Sequence, residues 1–280
     1  MSLKLMYITN NPDIAKIAER SGVDRIFVDM EYIGKRIRQK NLDTVVNSHK
    51  IIDIKTVRHA VSDQTEVLVR VNPIHKNVYG FLDSKDEIPS AIEAGADIVM
   101  LPFFKTAAEV KEFVSYVDGK AKTTLLLETP EAVDHLDEIL DIPGIDEIHI
   151  GLNDLSLGYG NTFLFEPLAN GTVDKIIEKF KERNIPYGFG GVARIGLGIV
   201  PAEYILGEHR RLGSSRVILS KSFANATMIA DLQAIDEIFS EGVKKIRDCE
   251  AMWEKATDEE IENNRLELIR RVGAAVEQMR

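Results

Sequence analysis

The chain has a single cysteine, Cys249, among 280 residues. That excludes an intramolecular disulfide and fits a reducing compartment. No apolar run approaches the roughly 20 residues of a membrane span. The opening "MSLKLMYITNN" lacks a basic segment followed by a long apolar core. It reads as a first strand and not as a signal peptide, which makes the cytoplasm the expected location. Positive charge is scarce: 35 Lys and Arg stand against 45 Asp and Glu, a formal net charge of −10 with a pI near 5.2. That balance argues against a nucleic-acid partner. Cys and His clusters at zinc spacing are absent. The first turn, "TNNPD", has no glycine-rich fingerprint, which counts against a doubly wound nucleotide-binding sheet.

What the chain does have is alternation. Apolar, β-branched runs such as "DRIFVDM", "EVLVRVN", "DIVMLPF", "TTLLLET" and "EIHIGL" alternate with segments of helical spacing. Eight strands separated by seven amphipathic helices predict a (β/α)8 barrel, an α/β fold that fits in one domain of about 250 residues. "YGFGGV" is the predicted seventh strand, and Asn41 to Ala60 holds a helix. The barrel is expected over 1–229. Residues 230–280 form a helical extension, packed either on the barrel or on a neighbouring subunit.

In such barrels the chemistry sits at the carboxyl ends of the strands. Strand two ends in Asp29 and Glu31, strand three in Arg70 and Asn72 with His75 beyond. Strand four ends at Pro102, strand five at Glu128-Thr129, and strand six runs into "GLNDL" with Asp154. Strand seven leads to Arg194, and strand eight to Ser220-Lys221-Ser222. Each acid alone has a plain reading as a helix cap. Yet Glu128 follows "TTLLL", a strand buried by the barrel, and an ionised carboxylate there must be paired or bind a metal. Glu128 and Asp154, from neighbouring strands, suit an octahedral Mg2+ or Mn2+ completed by water. Arg70 cannot discharge itself and needs anionic company, from the nearby acids or from a substrate oxyanion. Arginine and a divalent cation together clamp a developing enolate. "KRIRQK" places Lys35, Arg36, Arg38 and Lys40 on the loop after strand two, either a solvated loop or a site for an anionic substrate tail.

"GVDRIFVDMEY", "VLVRVN", "EAGADIVMLPF", "LLLETPEAV" and "IHIGLNDLSLGYG", in that order and each at a strand end, resemble the HpcH/HpaI aldolase family, which includes the citrate lyase beta-subunit-like enzymes. The resemblance implies a modified barrel, commonly hexameric, with a C-terminal helix exchanged between subunits. A homo-oligomer, trimer or hexamer, is therefore expected. It implies a metal-dependent carbon–carbon lyase acting beside a pyruvate-like enolate. Glu128 and Asp154 would hold the metal, and Arg70 would contact the keto oxygen. The backbone near Leu152, Asn153 and Asp154, with Pro102, would take up the substrate. Asp29 and Glu31 would orient polar groups at the mouth.

The chain departs from that pattern. The aldolase branch follows the second-strand Glu with a proton-transferring His; this chain has Tyr32. A frequent Gln on strand five is Leu126, and the further acid of the citrate lyase branch is missing after "DL". The expected activity is an aldolase-type lyase acting on a small-molecule 2-oxo acid. An acyl-CoA lyase, and a barrel that binds an oxo acid or another anionic metabolite without chemistry, are the alternatives. Tyr32 is either an altered proton relay or a pocket wall; a metal-bound hydroxide and His75 are the other candidates for proton transfer, although His75 reads first as a surface-loop histidine. His49, His59, His135 and His209 fall in predicted helices as structural or exposed residues, and His149 packs inside strand six.

Overall fold

The computed structural model describes residues 2–35, 49–224, 229 and 231–279. Nine parallel strands form one sheet: β1 (Lys4–Ile8), β2 (Arg25–Asp29), β3 (Glu66–Arg70), β4 (Ile98–Leu101), β5 (Lys122–Leu127), β6 (Glu147–Ile150), β7 (Tyr187–Phe189), β8 (Gly191–Val192) and β9 (Arg216–Leu219). Their order is β7-β6-β5-β4-β3-β2-β1-β9-β8. The predicted seventh strand is two pieces, broken at Gly190. This glycine has φ 56°, and a Cβ on it would lie 2.8 Å from Leu152 Cδ1. β7 pairs with β6 and β8 with β9, so the two pieces together bring the ends of the sheet around into a (β/α)8-type barrel.

The period of two along each strand sorts side chains between the barrel interior and the helices. Val28, Val69, Val99, Leu125, Leu127 and Ile150 face outward into the main apolar core. Met6, Phe27, Leu68, Ile98, Met100 and Leu126 form a second apolar cluster inside the barrel. Leu126, where the resemblance anticipates glutamine, is thus interior filling and is 3 % exposed. Two residues toward the amino ends lies a charged layer. Arg25 donates to both oxygens of Glu147, at 2.6 and 3.0 Å, and to Glu66 at 2.8 Å. Arg216 also pairs with Glu147. Two residues the other way, the same alternation brings Asp29, Arg70 and Glu128 to the carboxyl end.

Helices surround the sheet: α1 (Pro12–Arg20), α2 (Ile51–Ala60), α3 (Ser84–Glu93), α4 (Ala107–Val117), α5 (Pro130–Asp134), α6 (Leu136–Leu140), α7 (Leu152–Gly158), α8 (Glu166–Ala169), α9 (Thr172–Glu182), α10 (Ala202–Leu212), α11 (Lys221–Ala224), α12 (Leu232–Glu254) and α13 (Asp258–Met279). The helix predicted from Asn41 is seen as α2; residues 36–48 lie outside the described part. The two long C-terminal helices pack on this chain's own barrel, α12 against α1 and α10, α13 against α10 and α8. Phe239 of α12 meets the Tyr7 ring edge-on at 4.8 Å. Asn264 of α13 donates to Tyr204 O at 3.1 Å. Its side chain fills the space beside Gly207 that a Cβ would need. No helix among the described residues is long and apolar enough to cross a membrane.

Candidate active site

The strand-two acids and the strand-three arginine meet as the sequence suggests, with a fourth member. Arg70 donates through Nε to Asp29 Oδ1 and through Nη2 to Asp29 Oδ2, both at 2.8 Å. Its Nη1 lies 3.4 Å from Glu31 Oε2. Lys35 Nζ sits 2.9 Å from Asp29 Oδ2 and 3.2 Å from Glu31 Oε2. Asp29 and Glu31 are fully buried and the Lys35 side chain is 4 % exposed. Two anions and two cations balance, which is how so much charge is tolerated out of water. Burial by itself would weaken the charge on Arg70. The Asp29 and Glu31 carboxylates, helped by Glu128, outweigh it and raise its pKa above the ordinary value. Lys35 turns inward to the acids and is no part of a solvated basic loop; Arg36, Arg38 and Lys40 lie outside the described residues.

The loop after β2 is fixed from the next strand. Asn72 Oδ1 accepts from the backbone N–H of both Tyr32 and Ile33, at 2.9 Å each. Asn72 in turn donates from Nδ2 to Glu87 Oε1 at 2.6 Å and from its backbone to Oε2 at 3.2 Å. Burial pushes the Glu87 carboxyl above its ordinary value, against the pull of those hydrogen bonds. Tyr32 is half-buried and stacks on Phe81 with ring centroids 5.8 Å apart. His75 is tied to the backbone: its Nδ1 is 2.8 Å from Pro73 O and its Nε2 is 2.6 Å from Leu82 O. Those contacts make it a staple of the loop after β3.

Glu128 and Asp154 come together on one cavity of about 350 Å³, which Phe103, Lys105 and Thr129 also line. They are 3 % and 8 % exposed. Thr129 is the cap of α5, accepting from Ala132 N at 3.2 Å, which leaves Glu128 to face the cavity. Glu128 Oε1 accepts from the backbone N–H of Phe103 at 3.0 Å. Phe103 holds a left-handed φ of 50°, an unfavourable conformation for an aromatic residue, directly after Pro102. Glu128 Oε2 lies against Gly151, where a Cβ would come within 2.8 Å of it. Gly151 is the N-cap of α7, and Leu152, Asn153 and Asp154 form its first turn. Among the described residues, no group of three or more His, Cys, Asp or Glu side chains is arranged to hold a metal. The donor set is two buried carboxylates. An all-oxygen pair of this kind suits a hard divalent cation that keeps several waters.

The roles of Lys35, Glu87 and His49 are not legible in the sequence. Lys35 stands in a basic run. Glu87 is four charged or helical positions deep in α3 and carries no motif. His49 falls within the helix expected over 41–60; in the structure it precedes α2, and its Nδ1 accepts the Asp29 backbone N–H at 3.0 Å. His149 is buried at 1 %, as expected inside strand six. His209 is also buried, stacked on Phe189 at 3.9 Å. Arg194, beyond β8, has a buried Nε without a hydrogen-bond partner and forms no ion pair among the described residues.

Solved structures share this architecture at low sequence identity. An HpcH/HpaI aldolase from Desulfitobacterium hafniense DCB-2 superposes with a TM-score of 0.58 at 18% identity, covering 88% of this chain and 93% of that one. An HpcH/HpaI aldolase/citrate lyase family protein from Burkholderia cenocepacia J2315 gives a TM-score of 0.61 at 15% identity, covering 85% and 95%. The citrate synthase SbnG gives 0.60 at 14%, covering 84% and 94%. A search of curated proteins returns no match. The family model for HpcH/HpaI aldolase/citrate lyase matches residues 4–164, which hold Asp29, Arg70, Glu128 and Asp154. That family generally uses divalent metals. With the match spanning more than half of the chain and all five of the resembling motifs inside it, this protein belongs to the HpcH/HpaI aldolase/citrate lyase family of lyase-type enzymes.

Proposed function

We propose that the chain is a divalent-metal-dependent carbon–carbon lyase that cleaves or forms a hydroxy-2-oxo acid through a pyruvate-like enolate. The observation that carries this reading is one barrel end holding both an anchored, charged Arg70 and two buried carboxylates on a cavity. Glu128 and Asp154 would hold Mg2+ or Mn2+, which when bound supplies Lewis-acid polarisation of the 2-oxo group.

The chain's own residues do the rest. Arg70 stabilises negative charge on the 2-oxo oxygen as the bond to the carbonyl half breaks. Asp29 grips two of its nitrogens, so the guanidinium need not reorganise as charge develops. Glu31 and Lys35 keep that cluster electrically balanced. The amides of Leu152, Asn153 and Asp154 take the substrate carboxylate, with Pro102 and Phe103 as wall. In cleavage the substrate hydroxyl gives up its proton and the carbon–carbon electron pair passes into the enolate. The enolate carbon then takes a proton back. Tyr32, where the aldolase branch carries histidine, relays that proton. Arg194 is available for an anionic group on the carbonyl half.

The test is condensation. Pyruvate is incubated with neutral and anionic aldehydes and with Mg2+ or Mn2+, and new hydroxy-2-oxo acid is sought by proton NMR. Product that disappears with chelator and in Asp154→Ala is the expected result. Absence of product with every aldehyde and both metals would overturn the lyase reading and favour an oxo-acid-binding barrel.

A further inference from the structure

Asp29 organises more than Arg70. Its carboxylate receives Arg70 Nε, Arg70 Nη2, Lys35 Nζ and the backbone N–H of Glu31. Its own backbone N–H is given to His49 Nδ1 at 3.0 Å. An amide N–H can only donate, so Nδ1 of His49 must accept. The neutral ring then carries its proton on Nε2. Nε2 has no hydrogen-bond partner among the described residues, and the side chain is half-buried at the carboxyl end of β2.

From this juxtaposition we infer that His49 is a further substrate-contacting residue, whose Nε2–H donates a hydrogen bond to an anionic oxygen of the bound 2-oxo acid beside Arg70. The chemical class of the ligand atom follows from the donor set. Arg70, Lys35 and His49 are all donors held by one residue, and a carboxylate or enolate oxygen is the group such a set accepts. The same tautomer excludes His49 as the base, because its one lone pair is already occupied by the Asp29 amide. Burial keeps the imidazole below its ordinary pKa, against the Asp29 and Asp53 carboxylates and with the help of Lys35 and Arg70. The ring therefore stays a neutral donor near neutral pH. A neutral donor costs less to bury than a third cation beside Arg70 and Lys35.

The inference rests on the lyase reading for the identity of the oxo acid, and its test is built so that the two can fail separately. The ring nitrogens of uniformly 15N-histidine-labelled protein are observed by NMR, with His49 assigned by its loss in His49→Asn. In the free protein Nε2 should be the protonated nitrogen, and adding pyruvate with Mg2+ should shift it. In parallel, metal-dependent proton exchange at the pyruvate methyl group is measured for two variants. His49→Asn keeps an acceptor near Nδ1 and removes the Nε2 donor. His49→Gln removes the Nδ1 acceptor and keeps an N–H near Nε2. A donor role predicts a rate loss of about 100-fold for His49→Asn, as for removal of one oxyanion donor, with His49→Gln within about tenfold of wild type. A merely structural role predicts the reverse order and overturns the inference. So does an unmoved Nε2 signal with saturating pyruvate, or a proton found on Nδ1. If the signal moves but wild-type protein exchanges no methyl protons, the lyase reading falls and His49 stands as an oxo-acid ligand.

Discussion

At the scale of single residues, the carboxyl end of β2 is a charge-balanced device. Asp29 is its hub, with a bidentate guanidinium, an ammonium and two backbone contacts. Replacing it by asparagine keeps the shape and removes one anion. Arg70 and Lys35 then share only Glu31 and are left undercompensated in a buried place. Breaking a buried pair from one side typically costs about 3–5 kcal/mol. Asp29→Asn should therefore lower the unfolding free energy in urea by about 3 kcal/mol or more. An unchanged midpoint would mean the quartet is not what balances these charges. The sequence allowed Arg70 and its acids to be paired, because an arginine inside "VLVRV" has nowhere else to go. It did not allow Lys35 or His49 to be placed. Neither lies on a strand, so the period of two that sorts the barrel side chains does not reach them.

At the scale of elements, the site depends on backbone features that carry no chemistry of their own. Glu128 is held between the N–H of Phe103, at the end of β4, and the bare Cα of Gly151, at the end of β6. A Cβ at position 151 would press on both Glu128 Oε2 and Glu128 Cβ, at 2.8 and 2.9 Å. These contacts are closer than packing allows, and Gly151→Ala must push the carboxylate out of place. The expected outcome is Mn2+ affinity weakened by about tenfold or more in a spin-resonance titration. The fold itself should remain, judged by an unfolding midpoint near wild type. Affinity equal to wild type would remove Glu128 from the metal site. The strand assignments were legible because buried parallel strands read as continuous apolar runs. The break at Gly190 was not. "YGFGGV" has the composition of one strand, and only the closeness of Leu152 and the left-handed φ split it.

At the scale of the whole molecule, the barrel interior is layered: charge at the amino end, apolar filling in the middle, the site at the carboxyl end. In the lower layer burial pushes the Glu147 carboxyl up, but hydrogen bonds from Arg25 and the charges of Arg25 and Arg216 win, and its pKa is lowered. Glu66 is likewise pushed up by burial and pulled further down, to about 2, by hydrogen bonds from Lys122, Arg25 and Lys4 and by the charge of Arg25. A carboxylate depressed in the folded state binds fewer protons there than in the unfolded chain. Its stabilising contribution is complete above the ordinary value of 4.5 and is lost as pH falls through the folded value. Urea unfolding should therefore show stability falling steadily from about pH 5 toward pH 2, and Glu147→Gln should flatten that slope. Parallel slopes for the two proteins would contradict the role given to this layer. The C-terminal helices were legible as helices and open as to partner. Phe239 against Tyr7 and Asn264 against Gly207 are contacts with the chain's own barrel that spacing alone does not encode.

The central claim is that Arg70 and the Glu128–Asp154 pair act on one 2-oxo acid. Proton exchange at the methyl group of pyruvate, followed by NMR in heavy water, tests it without knowledge of the carbonyl partner. The account predicts exchange with Mg2+ or Mn2+, none with chelator, and loss by at least about 100-fold in both Arg70→Ala and Glu128→Ala. Exchange that persists with chelator, or that survives in either variant, would contradict it.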